Sequence, residues 1–384
     1  MIVQVLRETM ASMHAGFWQG FGMSLSLIVA AVLSQGGAPA QPGGAALLGV
    51  ALAVLLWTLQ PKLRARGHAV PMALNLTGIA AGLGVAAWSM ATAQTGAEGA
   101  AFGWAMVGIW LGGWMLVSFL ADLPRASGWA GRAQALLAPV VFGLTLIWFW
   151  EALVRVLSVP RVILPPPSAI GARISTSAPT LWVDFVQTFV KGALSGFAIG
   201  VAAALVFALV VNRYDFLRRG LLPVGGFLAA LPIVGTAPIM VMWFGFDWPS
   251  KAAVVVAMVF FPMLVNTVQG LAAADAMQRD LMRTYSASWG QGLRKLHLPA
   301  AMPFIFNGLK ISSTLALIGA IVAEFFGSPT RGMGFRISTE VGRLQLDMVW
   351  AEITVAALAG SLFYGFWALL EKRVTFWHPS QRAR

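Results

Sequence analysis

Residues 251–273 read KAAVVVAMVFFPMLVNTVQGLAA, residues 274–304 read ADAMQRDLMRTYSASWGQGLRKLHLPAAMPF, and residues 305–326 read IFNGLKISSTLALIGAIVAEFF. The two outer stretches are each long and apolar enough to cross a bilayer core, which needs about 20 residues of helix. The middle one is wet: helix formers, a Ser/Gly-rich break at Ser286–Gly292, then a second amphipathic stretch. A polar helix–turn–helix slung between two membrane spans fits either a docking element or an ordinary interfacial loop.

The whole chain repeats the apolar theme. Of its 384 residues 58% are hydrophobic and only 10% charged, with a mean hydropathy of +0.77. Soluble domains carry about 25% charged residues, so this composition cannot cover a wetted surface and describes an integral membrane protein. Disorder is excluded on the same ground. The absence of cysteine excludes a disulfide framework, thiolate metal sites, iron–sulfur clusters and a cysteine nucleophile. The net charge of +12 does not come from basic runs interleaved with aromatics, so nucleic acid is not the expected partner.

Ten apolar stretches qualify as spans, at roughly residues 17–35, 43–60, 69–92, 99–121, 137–158, 188–211, 222–244, 251–273, 305–326 and 350–371. With the N-terminus inside, 17 of the 26 Lys and Arg residues fall in inside segments, among them Arg218, Arg219, Arg283 and Lys295. The outside loops hold five: Arg161, Arg173, Arg331, Arg336 and Arg343. This positive-inside bias predicts a multi-pass protein of the inner membrane with both termini cytoplasmic. Ala38-Pro39-Ala40 resembles a cleavage site, but the apolar run from Phe17 to Leu33 is long for a signal core, which favours an uncleaved first span. Residues 1–14 fit a short interfacial helix or a frayed terminus equally well.

The chain divides into two blocks. Residues 1–124 hold four spans whose few acids, Glu8, Glu98 and Asp122, lie at membrane ends, so a packing or partner-binding extension is expected rather than an ion path. Residues 125–384 carry the longer loops and most of the remaining charge. Neither block contains a Gly-Lys dipeptide, and hence neither has a P-loop; a His-Glu-x-x-His helix and a Gly-x-Ser-x-Gly elbow are also missing. Catalysis, metal and cofactors are therefore not expected of this chain.

The loop resembles the signature of ABC importer permeases, in which Glu-Ala-Ala is followed by a spaced glycine and ends in Leu-Pro. Aligned on Leu298-Pro299, Asp280, Leu281 and Met282 stand where Glu-Ala-Ala is usual, and Ser286 stands at the glycine. The flanks resemble the nitrate/sulfonate/taurine branch more fully: ILPPPSAI (163–170), LPVGGFLAALPIVGTAPIMVMWFG (222–245), FPMLVNTVQGL (261–271), LPAAMPFIFNGLK (298–310) and AIVAEFFGSPTRGMGF (320–335). The similarity covers roughly residues 140–380.

The resemblance implies an all-α polytopic bundle with a six-span permease core at its C-terminal side. It also implies the partners: separate ATP-binding subunits, an extracytoplasmic solute-binding protein, and a second permease copy, identical or not. The substrate would be a small organic solute moved by alternating access, with a pyrimidine or thiamine-precursor heterocycle favoured over an anion because the lining candidates are mostly uncharged. The loop around Ser286 would be the coupling element, with Tyr285, Ser286, Ala287 and Ser288 as its contact turn, Asp280, Arg283 and Gln291 as polar flanks, and Pro299 at its end.

Candidate pathway residues are Gln187, Thr236, Asn266, Gln269, Asn307, Ser312, Ser313 and Glu324. Glu324 gates, pairs with Arg331 or Arg336, or rests at the interface with its head in water. Gly192, Gly196 and Gly200 in VKGALSGFAIG fit a close helix crossing. Glu151 and Arg155, one helical turn apart, suffice to neutralise each other. An ion-coupled secondary transporter acting without an ATPase is the alternative; it would favour inverted repeats and intramembrane carboxylates on broken helices.

Overall fold

In the computed structural model the described residues are 128–214, 216–217, 219–220, 233–327 and 330–378, together with the helical Val107, Trp110, Trp114 and Val117. The first three expected spans, most of the fourth, and Pro223 and Pro232 of the seventh lie outside them. The described chain is helical throughout, and five of its helical runs are long and apolar enough to cross a membrane: 135–155, 178–213, 248–272, 289–327 and 346–374.

The chain forms two compact units, Met1–Ala169 and Ile170–Arg384. In the first, helix α1 (Gly128–Val156) ends in a polar knot. Arg155 Nε donates to Glu151 Oε1 at 2.6 Å, as the one-turn spacing predicts. Glu151 also accepts from Ser168, from the backbone N–H at 2.8 Å and from Oγ at 2.7 Å. The Pro-Pro-Pro-Ser stretch thus supplies the start of helix α2 (Pro167–Thr176), and a carboxylate satisfies one of its free N–H groups.

The second unit is a bundle around two long helices, α6 (Trp248–Ala272) and α9 (Leu298–Gly327). A single helical run passes alongside, made of α3 (Ala178–Phe185), a π-helical stretch (Val186–Leu194) and α4 (Ser195–Arg213). Helix α5 (Ile233–Phe244) packs on α6 and α9, and α11 (Leu346–Val374) packs on α9. The short α10 (Met333–Gly342) links α9 to α11. Between α6 and α9 stand α7 (Ala276–Thr284), α8 (Trp289–Gly292) and a π-helical turn, Leu293–His297.

Lipid tails are as apolar as leucine, so helices in a membrane associate by close packing and not by escape from water. The core follows that rule: Ala193, Ala204, Ala208, Ala301, Ala316 and Ala320 are all fully buried. A Cβ on Gly196 would lie 2.8 Å from the Ala252 carbonyl oxygen, and one on Gly200 3.3 Å from Val256 Cα, so these two glycines make the crossing of α4 on α6. At Gly192 a Cβ would meet Ala320 and Lys251 at an ordinary 3.5 Å. Lys310 Nζ reaches Glu371 Oε2 at 2.7 Å and ties α9 to α11.

Two runs extend beyond the stretches that hydrophobicity marks. The sixth expected span, 188–211, begins at residue 178, because Asp184 is paired and buried instead of wet. The ninth, 305–326, is continuous with the hairpin from residue 289, and Pro299 follows directly on the π-helical turn Leu293–His297 within that run.

Candidate functional site

The hairpin is built by local chemistry. Asp275 caps α7, its side chain accepting from Met277 N–H. At the far end Tyr285, Ser286 and Ala287 donate back to Leu281, Arg283 and Met282 carbonyls, at 3.1, 2.8 and 3.0 Å. Ser286 has a φ of +50°, the left-handed region in which glycine is at ease. The residue that stands at the importer glycine is therefore the one whose backbone turns the chain. Ser288 then starts α8 with a reciprocal capping box: its N–H donates to Gln291 Oε1 at 2.9 Å, and Gln291 N–H donates to its Oγ at 3.4 Å.

Neither α7 nor α8 buries a single residue. Met277, Leu281 and Tyr285, spaced one turn apart, are 79%, 56% and 77% exposed. Beside this apolar row lies the open pair Arg283–Asp280 at 3.5 Å. The solvated hairpin thus carries an exposed apolar row.

At the opposite end of the bundle the first turn of α10 gathers polar groups from the 178–213 run and from α9. Gly332 has a φ of +122°, which aims three successive N–H groups inward. Gly332 N–H donates to Asp184 Oδ1 (2.7 Å), Met333 N–H to Thr188 Oγ1 (2.7 Å) and Gly334 N–H to Glu324 Oε2 (2.8 Å). A helix N-terminus is suited to hold carboxylates. Thr188 Oγ1 lies 2.9 and 2.8 Å from the two Glu324 oxygens, and Arg336 Nε donates to Asp184 Oδ2 at 2.9 Å.

Burial works against the Arg336 charge, yet the hydrogen bond and charge of Asp184 outweigh it and hold its pKa above the ordinary arginine value. Lys251, also enclosed, donates to the Phe246 and Gly327 carbonyls. Glu352 lies against Asp184, and no donor reaches either of its oxygens. Among the described residues no group of acids or histidines is arranged to hold a metal ion.

The family described as binding-protein-dependent transport system inner membrane component matches residues 196–376. A probable ABC transporter permease of Haemophilus influenzae is 31% identical over 220 residues, 57% of this chain and 89% of that protein. The formylaminopyrimidine transport permease ThiX of Halalkalibacterium halodurans is 30% identical over 250 residues, 65% of this chain and 99% of that protein. The chain is a permease of the binding-protein-dependent ABC transporter family. The taurine permease TauC of Escherichia coli, 27% identical over 60% of this chain and 86% of its own length, places it beside the nitrate/sulfonate/taurine-type members. The permease is thus a membrane subunit of an ATP-driven importer and carries no catalytic site of its own.

Within the permease the residues expected from sequence fall into separate places. Asp280, Arg283, Tyr285, Ser286 and Ala287 cluster around the hairpin turn, whereas Ser288 and Gln291 are occupied in capping each other and Pro299 is half-buried at the root of α9. Asn266 and Asn307 meet across α6 and α9, Asn307 Nδ2 donating to Asn266 Oδ1 at 3.0 Å, with Gln269 exposed one turn from Asn266. Ser312 and Ser313 are fully enclosed, and Ser313 Oγ donates to the Lys310 carbonyl. Gln187 and Thr236 are half-buried on the π stretch and α5.

Glu324 is only 1% exposed, which overturns the expectation of a head group in water. Its partners are Thr188 and Gly334, and Arg336 pairs with Asp184 instead. Sequence reading passed over Met277 and named Leu281 only for its place in the signature, although their spacing of four residues from each other and from Tyr285 was the available signal. It also missed Asp184 and Glu352, single acids at the margins of apolar runs.

Proposed function

We propose that residues 274–304 are the coupling hairpin of the permease, seated in a groove of a separate ATPase, and that its displacement on ATP binding drives alternating access in the bundle. The observation that carries this reading is the exposed row Met277, Leu281 and Tyr285, on a hairpin whose helices α7 and α8 bury no residue. Asp280, Arg283, Ser286 and Ala287 flank that row, and the left-handed turn at Ser286 lets the tip approach a partner closely. The hairpin side is then cytoplasmic, as the basic residues of the inside segments require, and the α10 end faces outward. Residues 125–384 make a six-span core within a ten-span protein, and residues 1–124 an added membrane extension. The working assembly holds two permeases, ATP-binding subunits and an external solute-binding protein.

The exposed face of α9 bears Asn307, Ile311, Thr314 and Ile318, with Gln269 nearby on α6. Helices cover the other sides of α9, so this stripe is our assignment for the pathway wall. It is uncharged, which suits a small neutral nitrogen heterocycle better than a sulfonate. ThiX, whose name specifies a formylaminopyrimidine, is a relative of that chemistry.

Purification in mild detergent from the native host tests the reading. An ATPase should accompany the wild-type permease and be lost from Ser286→Arg, whose side chain collides with a docking groove at the tip. A well-folded wild type that brings down no ATPase in any nucleotide state sinks the proposal.

A further inference from the structure

No residue of α7 or α8 is buried; the second half of the hairpin packs on the core through Leu293 and Leu298, and directed contacts hold the rest. Arg279 Nη1 donates to the Ala274 carbonyl at 3.0 Å and His297 Nδ1 meets the Leu271 carbonyl at 2.8 Å, both fastening the hairpin to the end of α6 from which it grows. A third contact reaches a different helix. Arg213, the last residue of α4, holds its guanidinium 5.7 Å from the ring centroid of Trp289, the first residue of α8. The same group stands 6.0 Å from the ring centroid of its neighbour Tyr214. Indole is the preferred ring for a cation, and arginine stacks on it with a planar face. A cation is also at ease on the last turn of a helix, beside the free carbonyls.

The helix that ends at Arg213 is the unbroken run 178–213. Its far end supplies Asp184 and Thr188 to the first turn of α10 and to Glu324. Midway, Gly196 and Gly200 seat it on α6 so closely that the two helices share one crossing point. The intervening Val186–Leu194 stretch is π-helical, a wide-turned geometry that concentrates at functional sites. One helix thus touches the hairpin at one end and the enclosed polar cluster at the other.

We propose that Arg213 and Trp289 are positioning residues for ATP-driven transport: they clamp the coupling hairpin to the end of the 178–213 helix, which carries the hairpin's displacement across the membrane to the cluster around Glu324. The inference rests on the hairpin being the ATPase dock. Neither residue belongs to the α9 stripe assigned to the pathway. The clamp makes α4 move with the hairpin, and Asp184 and Thr188 then pull on the turn that leads into α10.

The chain has no cysteine, so Val341→Cys, exposed on α10 beside Glu340, gives the permease a single thiol. The permease–ATPase complex from the native host is reconstituted in vesicles, and the labelling rate by a membrane-impermeant maleimide is compared without nucleotide and after trapping with ATP and vanadate. Coupling between distant sites usually shifts an equilibrium about 5- to 150-fold, and the two wild-type rates should differ within that range. In Arg213→Gln and Trp289→Ala the ratio should fall toward one while the ATPase still co-purifies and still hydrolyses ATP. The double variant should be no worse than either single one, and Arg213→Lys and Trp289→Phe should recover most of the ratio. A wild-type ratio in the cut variants, or a ratio of one in the wild type, overturns the clamp. Loss of the ATPase from the cut variants overturns it too, because the pair would then build the dock and transmit nothing. An ATPase absent from the wild type marks the separate failure of the docking reading.

Discussion

Asp184 is fully enclosed, yet both of its oxygens are used: one by Gly332 N–H and the other by Arg336. A buried charge is tolerable only when paired and hydrogen-bonded. Glu352 is its opposite, enclosed with no donor and set against a second carboxyl. The two should respond differently to the same isosteric change. Asp184→Asn strips the charge that Arg336 needs and should lower stability by about 3 kcal/mol. Glu352→Gln presents an uncharged donor to Asp184 and should fold at least as well as the wild type. Thermal unfolding of the two purified variants in one detergent reads the difference. Equal losses would mean that Glu352 has a donor of its own and that this account of the cluster is wrong.

Among the elements, the π stretch and α4 show how spacing and contact differ. Three glycines at every fourth residue read as one stripe, but only Gly196 and Gly200 approach backbone within van der Waals limits. Gly196→Ala should cost about 1–3 kcal/mol, since the α6 backbone at Ala252 has no room to yield. Gly192→Ala, at ordinary contact distance, should be close to neutral. Thermal melts of both variants check this, and a neutral Gly196→Ala would put the crossing point elsewhere. The hairpin was legible from polarity and turn residues because its shape depends on local bonds: the Asp275 and Ser288 caps and the left-handed Ser286. The exposed row on α7 was equally open to reading as periodicity. The cluster was not. Asp184, Thr188, Glu324 and Gly332 come from segments up to 148 residues apart, and no local pattern announces such a meeting. Glycines in GSPTRGMGF marked a special backbone without saying that its N–H groups face two carboxylates.

For the whole molecule, hydropathy found the described spans, and its errors lie at their ends. It stopped the 178–213 run short because Asp184 counts as a polar residue unless its partner is known. It stopped the 289–327 run short because the hairpin side of α9 is polar and carries prolines. The proposed direction rests on the distribution of Arg and Lys, a property of the chain and not of any contact. Substrate was the least legible feature, since the α9 stripe proposed as the pathway wall is made of Asn, Thr and Ile and excludes little beyond a strongly charged solute.

The row Met277, Leu281 and Tyr285 also bears on the life of the subunit in the cell. With the hairpin cytoplasmic, as proposed, a permease that reaches the membrane ahead of its ATPase presents greasy side chains to the cytosol, the kind of segment that proteases and chaperones recognise. Orphan permease should therefore be short-lived. Pulse–chase in cells lacking the ATPase should show a half-life reduced several-fold, and Met277→Gln with Leu281→Gln should restore it even though the importer stays unassembled. An unchanged half-life would show that the row is covered by something other than the ATPase. On the proposed coupling role the same surface doubles as a timer on unassembled subunits, and matched synthesis of the two proteins becomes a requirement written into one face of a nine-residue helix.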